Sequence, residues 1–155
     1  MKGNELSKNL HIYGCLYRQI AEKRFEENGI YFGQPPILKF LSEHPGASQN
    51  EIAEFLNVSP ASIATSVKRM EKSGLIERSP DEKDARKNTL NLTEKGIKAQ
   101  KRADETIKGI DDEIFGNLPD EDACKANEFM KLLNQNIIKL AKENNIKVRK
   151  GNENV

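Results

Sequence analysis

The chain has 155 residues and a formal net charge of +1, with 32% charged, 36% hydrophobic and 6% aromatic residues and no Trp. That length supports one domain with a sizeable core, or a small domain joined to a helical dimerisation layer. No apolar run approaches the ~20 residues of a membrane span; the opening MKGNELSKNL lacks the apolar centre of a signal peptide; and Cys15 and Cys124 are too far apart for a disulfide framework or a zinc site. The expectation is a soluble, helix-rich, cytoplasmic protein with no cofactor, no metal and no membrane partner.

Leu6, Leu10, Tyr13, Tyr17 and Ile20 step 4, 3, 4, 3 and predict an amphipathic helix over residues 6–28, stopped by Gly29. Pro35 and Pro36 suit the first turn of a second helix, which carries Ile37, Leu38, Phe40 and Leu41 and ends at His44-Pro45-Gly46. Ser48 followed by Glu51 reads as a capping box for a short helix holding Ile52, Ala53 and Leu56. Asn57-Val58 forms a turn; Ser59 caps the next helix, Pro60 takes its first position, and Ser73-Gly74 ends it.

Residues 75–78 read as a short strand, 79–87 as a charged turn and 89–92 as a returning strand. Thr93 caps a long helix with Ala103, Ile107, Ile110 and Ile114 at 4, 3, 4 spacing. Pro119 and three acids open a last helix, along which Ala126, Met130, Leu133, Ile137 and Leu140 keep the same step. From Asn144 the polar tail is expected to fray. The predicted class is mainly α (α+β), a winged helix-turn-helix lobe with a small β-hairpin wing plus N- and C-terminal helices as a dimerisation layer. The divisions are residues 1–33, 34–96, 97–143 and a tail at 144–155, intertwined as one domain.

Charge is unevenly spread. Residues 60–102 hold eleven bases against six acids, an excess of five, and residues 103–122 hold eight acids and one base. A basic middle suits a polyanion, although solvated helix surface carries such patterns too. On the helix after Ser59, Ile63, Val67 and Met70 share one face. At 100° per residue, Ala61, Thr65, Lys68 and Lys72 fall opposite, with Ser62 and Arg69 at the edges. Small residues at an N-terminal end admit a helix to a major groove. Ser62, Thr65 and Ser66 can donate to phosphates or bases, and Lys68 and Arg69 can pair with phosphate or guanine. An ordinary amphipathic surface helix would look the same, and the wing separates the two readings. Asp84-Ala85-Arg86 lies near its tip, with Lys87 beside it. Arg86 can enter a narrow, negative minor groove, and Asp84 can orient it or brace the base of the wing.

The stretch SQNEIAEFLNVSPASIATSVKRMEKSGLIER, the D-x-R of Asp84 and Arg86, and LNLTEKG at residues 90–96 together resemble the multiple-antibiotic-resistance regulator (MarR) family of winged-helix transcription factors. The likeness extends over nearly the whole chain. It implies a homodimer held by the first and last two helices, acting as a repressor on a pseudo-palindromic site in double-stranded DNA. It also assigns major-groove readout to Pro60, Ala61 and the residues up to Arg69, and minor-groove contact to Arg86. Asn88-Thr89 departs from the apolar or basic residues frequent there. In one branch of the family a first-helix cysteine senses peroxide; its place aligns near Ser7, about two turns before Cys15, which reads as a small buried or interface residue.

The terminal seams favour an intertwined two-fold dimer over a loose monomeric bundle. A cleft for a small aromatic or anionic ligand is expected where these helices meet the lobe, from Tyr13, Tyr17, Arg24, Tyr31, Phe32 and Phe40, which could equally be core and interface residues. No phosphate loop or nucleophile–base pair supports an enzyme. The alternative function is a winged-helix module that contacts an acidic protein without specific DNA binding.

Overall fold

The computed structural model describes residues 2–31, 33–80 and 88–148. Among these, six helices and one hairpin follow in order: α1 (Lys2–Glu27), α2 (Gln34–Glu43), α3 (Gln49–Leu56), α4 (Pro60–Lys72), β1 (Ile76–Pro80), β2 (Asn88–Leu92), α5 (Glu94–Phe115) and α6 (Asp120–Glu143). The winged plan read from the sequence is the plan observed, with α1 beginning four residues earlier than its apolar spacing suggested.

Two cores organise the chain. The larger belongs to the lobe: Ile37, Leu38 and Leu41 of α2, Ile52 of α3, Val67 and Met70 of α4, and Leu90 of β2 are fully buried against one another. Each such side chain contributes about 1.5–3 kcal/mol of transfer free energy. The smaller core joins α1 to α5 through Ala21, Phe25, Ile30, Ala103 and Ile110.

β1 and β2 pair antiparallel from Ile76↔Leu92 to Pro80↔Asn88. The ladder runs two residues further than the expected turn at Ser79. The Thr89 hydroxyl donates to the Ser79 carbonyl at 3.2 Å, and Pro80 sits at the strand's end, where no further ladder donor is required of it. A third segment joins at the base: Leu90 N–H donates to Ala47 O at 2.9 Å and Gly46 N–H to Leu90 O at 3.1 Å. The wing is thereby tied to the loop between α2 and α3.

Polar bonds reinforce the α1–α5 seam. Arg24 donates to both carboxylate oxygens of Glu113 at 2.9 and 2.7 Å, and Asn28 Nδ2 donates to Thr106 Oγ1 at 3.0 Å. Tyr17 Oη donates to Asp111 at 3.0 Å. Its phenol is pushed up to about 12, first by burial, then by that bond and the charge of Asp111, with Tyr13 adding to them. An unfolded tyrosine titrates near 10. The native state therefore holds this proton more tightly, and the resulting stabilisation is complete below about pH 10 and lost as the pH climbs toward about 12. Tyr17→Phe removes this component. Urea midpoints should fall between pH 10 and 12 less steeply for the variant than for the parent, and identical slopes would show that the bond contributes nothing.

α6 carries no buried residue in the single chain. Asn145 adopts a left-handed φ of 56°; Asn145 N–H donates to Lys142 O at 3.1 Å and Ile146 N–H to Ala141 O at 2.8 Å. These two bonds close a Schellman motif, and they turn the chain back toward the lobe.

Candidate nucleic-acid interface

The helix-turn-helix is built from local signals. Ser48 Oγ accepts Glu51 N–H while the Glu51 carboxylate accepts Ser48 N–H, which starts α3 as a capping box. Asn57 ends it in a left-handed conformation, φ 51° and ψ 49°. Ser59 Oγ accepts Ser62 N–H at 3.2 Å, and Pro60 follows as the first residue of α4.

The two faces of α4 divide as predicted. Ile63, Val67 and Met70 are buried, while Pro60, Ala61, Ser62, Thr65, Lys68, Arg69 and Lys72 are exposed. Two details differ. Thr65 Oγ1 donates to Ala61 O at 3.0 Å, so its proton is used inside the helix. Its oxygen keeps lone pairs that can accept a hydrogen bond from an amino group, and its methyl group is exposed apolar surface. Ser66 is half-buried and faces the start of α2, where a Cβ on Gly33 would stand 4.0 Å from its Oγ. It lies at the inner edge of the reading face.

The far end of α4 is anchored. Thr93 Oγ1 donates to Gly74 O at 2.6 Å and accepts Gly96 N–H at 3.0 Å; Lys95 Nζ donates to Ser73 O at 2.7 Å. A threonine and a lysine thus satisfy carbonyls at the negative end of α4 while opening α5. Gly96 makes this join feasible, because a Cβ there would lie 1.9 Å from the Leu75 carbonyl oxygen. Across α4, Arg78 of β1 donates to both oxygens of Glu71 at 3.0 and 3.2 Å. Recognition helix, wing and α5 are therefore held as one body. Lys95, Gly96, Glu71 and Arg78 are structural supports of α4 and the hairpin that sequence reasoning missed. Of these, only the Lys95-Gly96 pair inside LNLTEKG carried a local signal.

Asp84, Arg86 and Lys87 lie outside the described residues. Asn88 is exposed and Thr89 has its hydroxyl engaged within the hairpin.

Of the six residues expected to form a ligand cleft, the five that are described do not converge on one site. Phe40 is 5% exposed in the lobe core, its ring stacked on His44 with centroids 4.5 Å apart. Arg24 is paired with Glu113, and Tyr31 is 63% exposed. Tyr13 and Tyr17 line a shallow depression between α1 and Ile114 of α5; Phe32 lies outside the described residues. The concavity at the junction of lobe and terminal helices is a different one. It is a groove of about 480 Å³ between α1, α2 and α5, apolar along Phe25, Pro35, Pro36, Ala103 and Ile107, with Lys39 and Asp104 among its charged residues. Cys15 is half-buried on α1, 3.6 Å from His11 Nε2. Among the described residues no cluster of three or more metal-ligating side chains occurs, and no helix is long and apolar enough to cross a membrane.

A capped helix pair, an exposed basic face on the second helix and a hairpin pinned to it define a winged helix-turn-helix protein. Comparisons with known proteins narrow the class. Residues 33–87 match the model of the MarR family. The chain is 29% identical over 114 residues to the HTH-type transcriptional regulator BilQ of Clostridium symbiosum, covering 71% of this chain and 79% of that one. It is 25% identical over 124 residues to the HTH-type transcriptional repressor Mb2911 of Mycobacterium bovis, covering 80% and 87%. Among solved structures, the S. aureus MepR–DNA complex matches with a TM-score of 0.64 and 25% identity over 81% of this chain and 93% of that one. A MarR family protein from Bacillus stearothermophilus matches in fold with a TM-score of 0.77 and 21% identity, over 88% and 96%. Residues 33–87 thus carry the likeness to the MarR family, and these named relatives are helix-turn-helix transcriptional regulators, not enzymes.

Proposed function

We propose that the protein is a cytoplasmic homodimeric repressor that binds a pseudo-palindromic site on double-stranded DNA. Each subunit would place α4 in a major groove and Arg86 of the wing in the neighbouring minor groove. The observation that carries this reading is α4 itself: its apolar face is fixed in the lobe core and its ends are bonded, while Ala61, Thr65, Lys68 and Arg69 stand exposed. A rigid helix presenting small residues first and bases later suits base reading followed by phosphate pairing. A relative named as a repressor and a solved MepR–DNA complex agree with it.

Dimerisation comes from the terminal helices in this reading. Leu10, Leu16, Ile137 and Leu140 are each more than a third exposed, an arrangement that a second copy would cover. A small-molecule effector would occupy the groove between α1, α2 and α5, where it would wedge the dimer helices against the lobe.

Thr65→Ala tests base reading. It removes an acceptor and a methyl from the centre of the exposed face without touching the core. The ratio of specific to non-specific duplex affinity should fall by a factor equivalent to ~1–3 kcal/mol per site, with an unchanged melting temperature. Fluorescence anisotropy with a preferred and a scrambled duplex measures it. Equal ratios for parent and variant would remove Thr65 from readout.

A further inference from the structure

The groove between α1, α2 and α5 joins an apolar wall to an unbalanced set of charges. Phe25, Pro35, Pro36, Ala103 and Ile107 form the wall around about 480 Å³. Four charged residues also line it, Lys39 of α2 and Asp104, Lys108 and Asp111 of α5. The three on α5 stand at i, i+4 and i+7 and so share one face of that helix. By formal count the four cancel, but their bonds change the balance. Lys39 Nζ is held by Glu43 at 3.1 Å and Lys108 Nζ by Asp112 at 2.6 Å, both partners lying outside the groove lining. The two groove carboxylates are bonded to neutral donors instead: Asp104 accepts Gln100 Nε2, and Asp111 accepts Tyr17 Oη at 3.0 Å. Lys39 also feels the charge of Asp104, but its hydrogen bond is to Glu43. Counting the lining with its bonded partners, two ammonium groups (Lys39, Lys108) stand against four carboxylates (Asp104, Asp111, Glu43, Asp112), an excess of two negative charges. Arg24, which suggested an anionic ligand, does not line the groove and is forked onto Glu113.

We propose that this groove takes a lipophilic organic cation, its apolar body against Phe25, Ala103 and Ile107 and its positive charge between Asp104 and Asp111. The inference rests on the reading of the groove as an effector site and names the chemistry that the site accepts. Charge complementarity carries it. An anion of the same shape would meet the excess of carboxylates as repulsion. A small inorganic cation would satisfy the charge and leave the apolar wall in water. A cation whose charge is wrapped in hydrocarbon answers both features, because it sheds little hydration on leaving water and covers carbon when it binds.

Tetraphenylphosphonium and tetraphenylborate share a shape and differ in the sign of their charge. Calorimetric titration of both into the purified parent, Asp104→Asn and Asp111→Asn tests the proposal. Asparagine keeps an acceptor for Gln100 or for Tyr17 Oη and removes only the charge. The parent should bind the phosphonium about tenfold or more tightly than the borate, and each variant should weaken the phosphonium by about two- to fivefold, the range of a partly exposed ion pair. Added salt should lower the phosphonium's affinity for the parent. Equal or tighter binding of the borate, or parent-like phosphonium binding in both variants, would overturn the cationic assignment and leave the groove as a site for other effectors. Binding of neither ion would overturn the assignment and the effector groove together. The titration contains no DNA, so a protein that takes the phosphonium and no duplex would uphold the assignment while the DNA-binding reading fails.

Discussion

Arg86→Ala is expected to weaken DNA binding by a factor equivalent to ~1–3 kcal/mol per subunit while leaving the melting temperature unchanged. The residue lies in the seven positions between Pro80 of β1 and Asn88 of β2, a stretch composed of charge and one alanine that offers no large apolar group to bury. Stability should therefore not depend on it. Binding should, because the strands on either side are not free to swing. β1 is bound to α4 through the Arg78–Glu71 fork, and β2 is bound to the loop at Ala47. A guanidinium that enters a narrow minor groove meets a strongly negative potential. The slope of log affinity against log salt should also fall, by ~1 for each phosphate left unpaired per subunit. Asp84→Ala should act in the same direction and less strongly, since its proposed role is to position Arg86 or the wing. Unchanged affinity and slope for Arg86→Ala, measured on the same duplex, would remove the wing from the mechanism.

Ile137→Glu should convert the protein to a monomer at micromolar concentration. Ile137 is 60% exposed on α6 and faces a groove shared with Leu6 and Leu10 of α1 and with Met130, Leu133 and Leu140 of α6. A helix of 24 residues without one fully buried side chain is weakly held by its own subunit, and helix propensity alone leaves it marginal in water. In a two-fold interface the substitution enters twice. Each copy places an unpaired carboxylate in surface that should be dry, which is costly unless the interface opens. A monomer engages one half-site at a time, so affinity for a palindromic duplex should drop by about 10²–10⁴. The lobe core does not include Ile137, so the α2–α4 signals of the folded lobe should persist. Sedimentation measures the mass directly, and a variant that remains a dimer would place the interface elsewhere.

What could be read from the sequence was whatever depends on neighbours in the chain. Ser48 with Glu51, Ser59 with Pro60, and Thr93 before Glu94 are caps whose partners lie within three residues, and each forms as expected. The buried stripe of α4 follows from its 3.6-residue period. Interactions between distant positions were not legible. Phe40 lies near the expected cleft in sequence, yet it faces Phe55 and His44 inside the lobe. Arg24 looked available for an anion, yet its partner Glu113 stands 89 positions away. The bond from Asn57 to the Lys147 carbonyl joins positions 90 apart, and nothing local announces it. Gly96 shows the same limit: its necessity comes from the Leu75 carbonyl of a different element.

Binding-site selection from random duplex DNA, with the purified protein at moderate salt, bears most directly on the claim that the exposed face of α4 reads bases in pairs. The enriched sequences should converge on a two-fold symmetric site with half-sites centred about 10–10.5 base pairs apart, one helical turn. Recovery of no preferred sequence, or of a single half-site without its symmetry mate, would contradict the account, and absence of binding even at low salt would leave a winged-helix module that contacts protein instead.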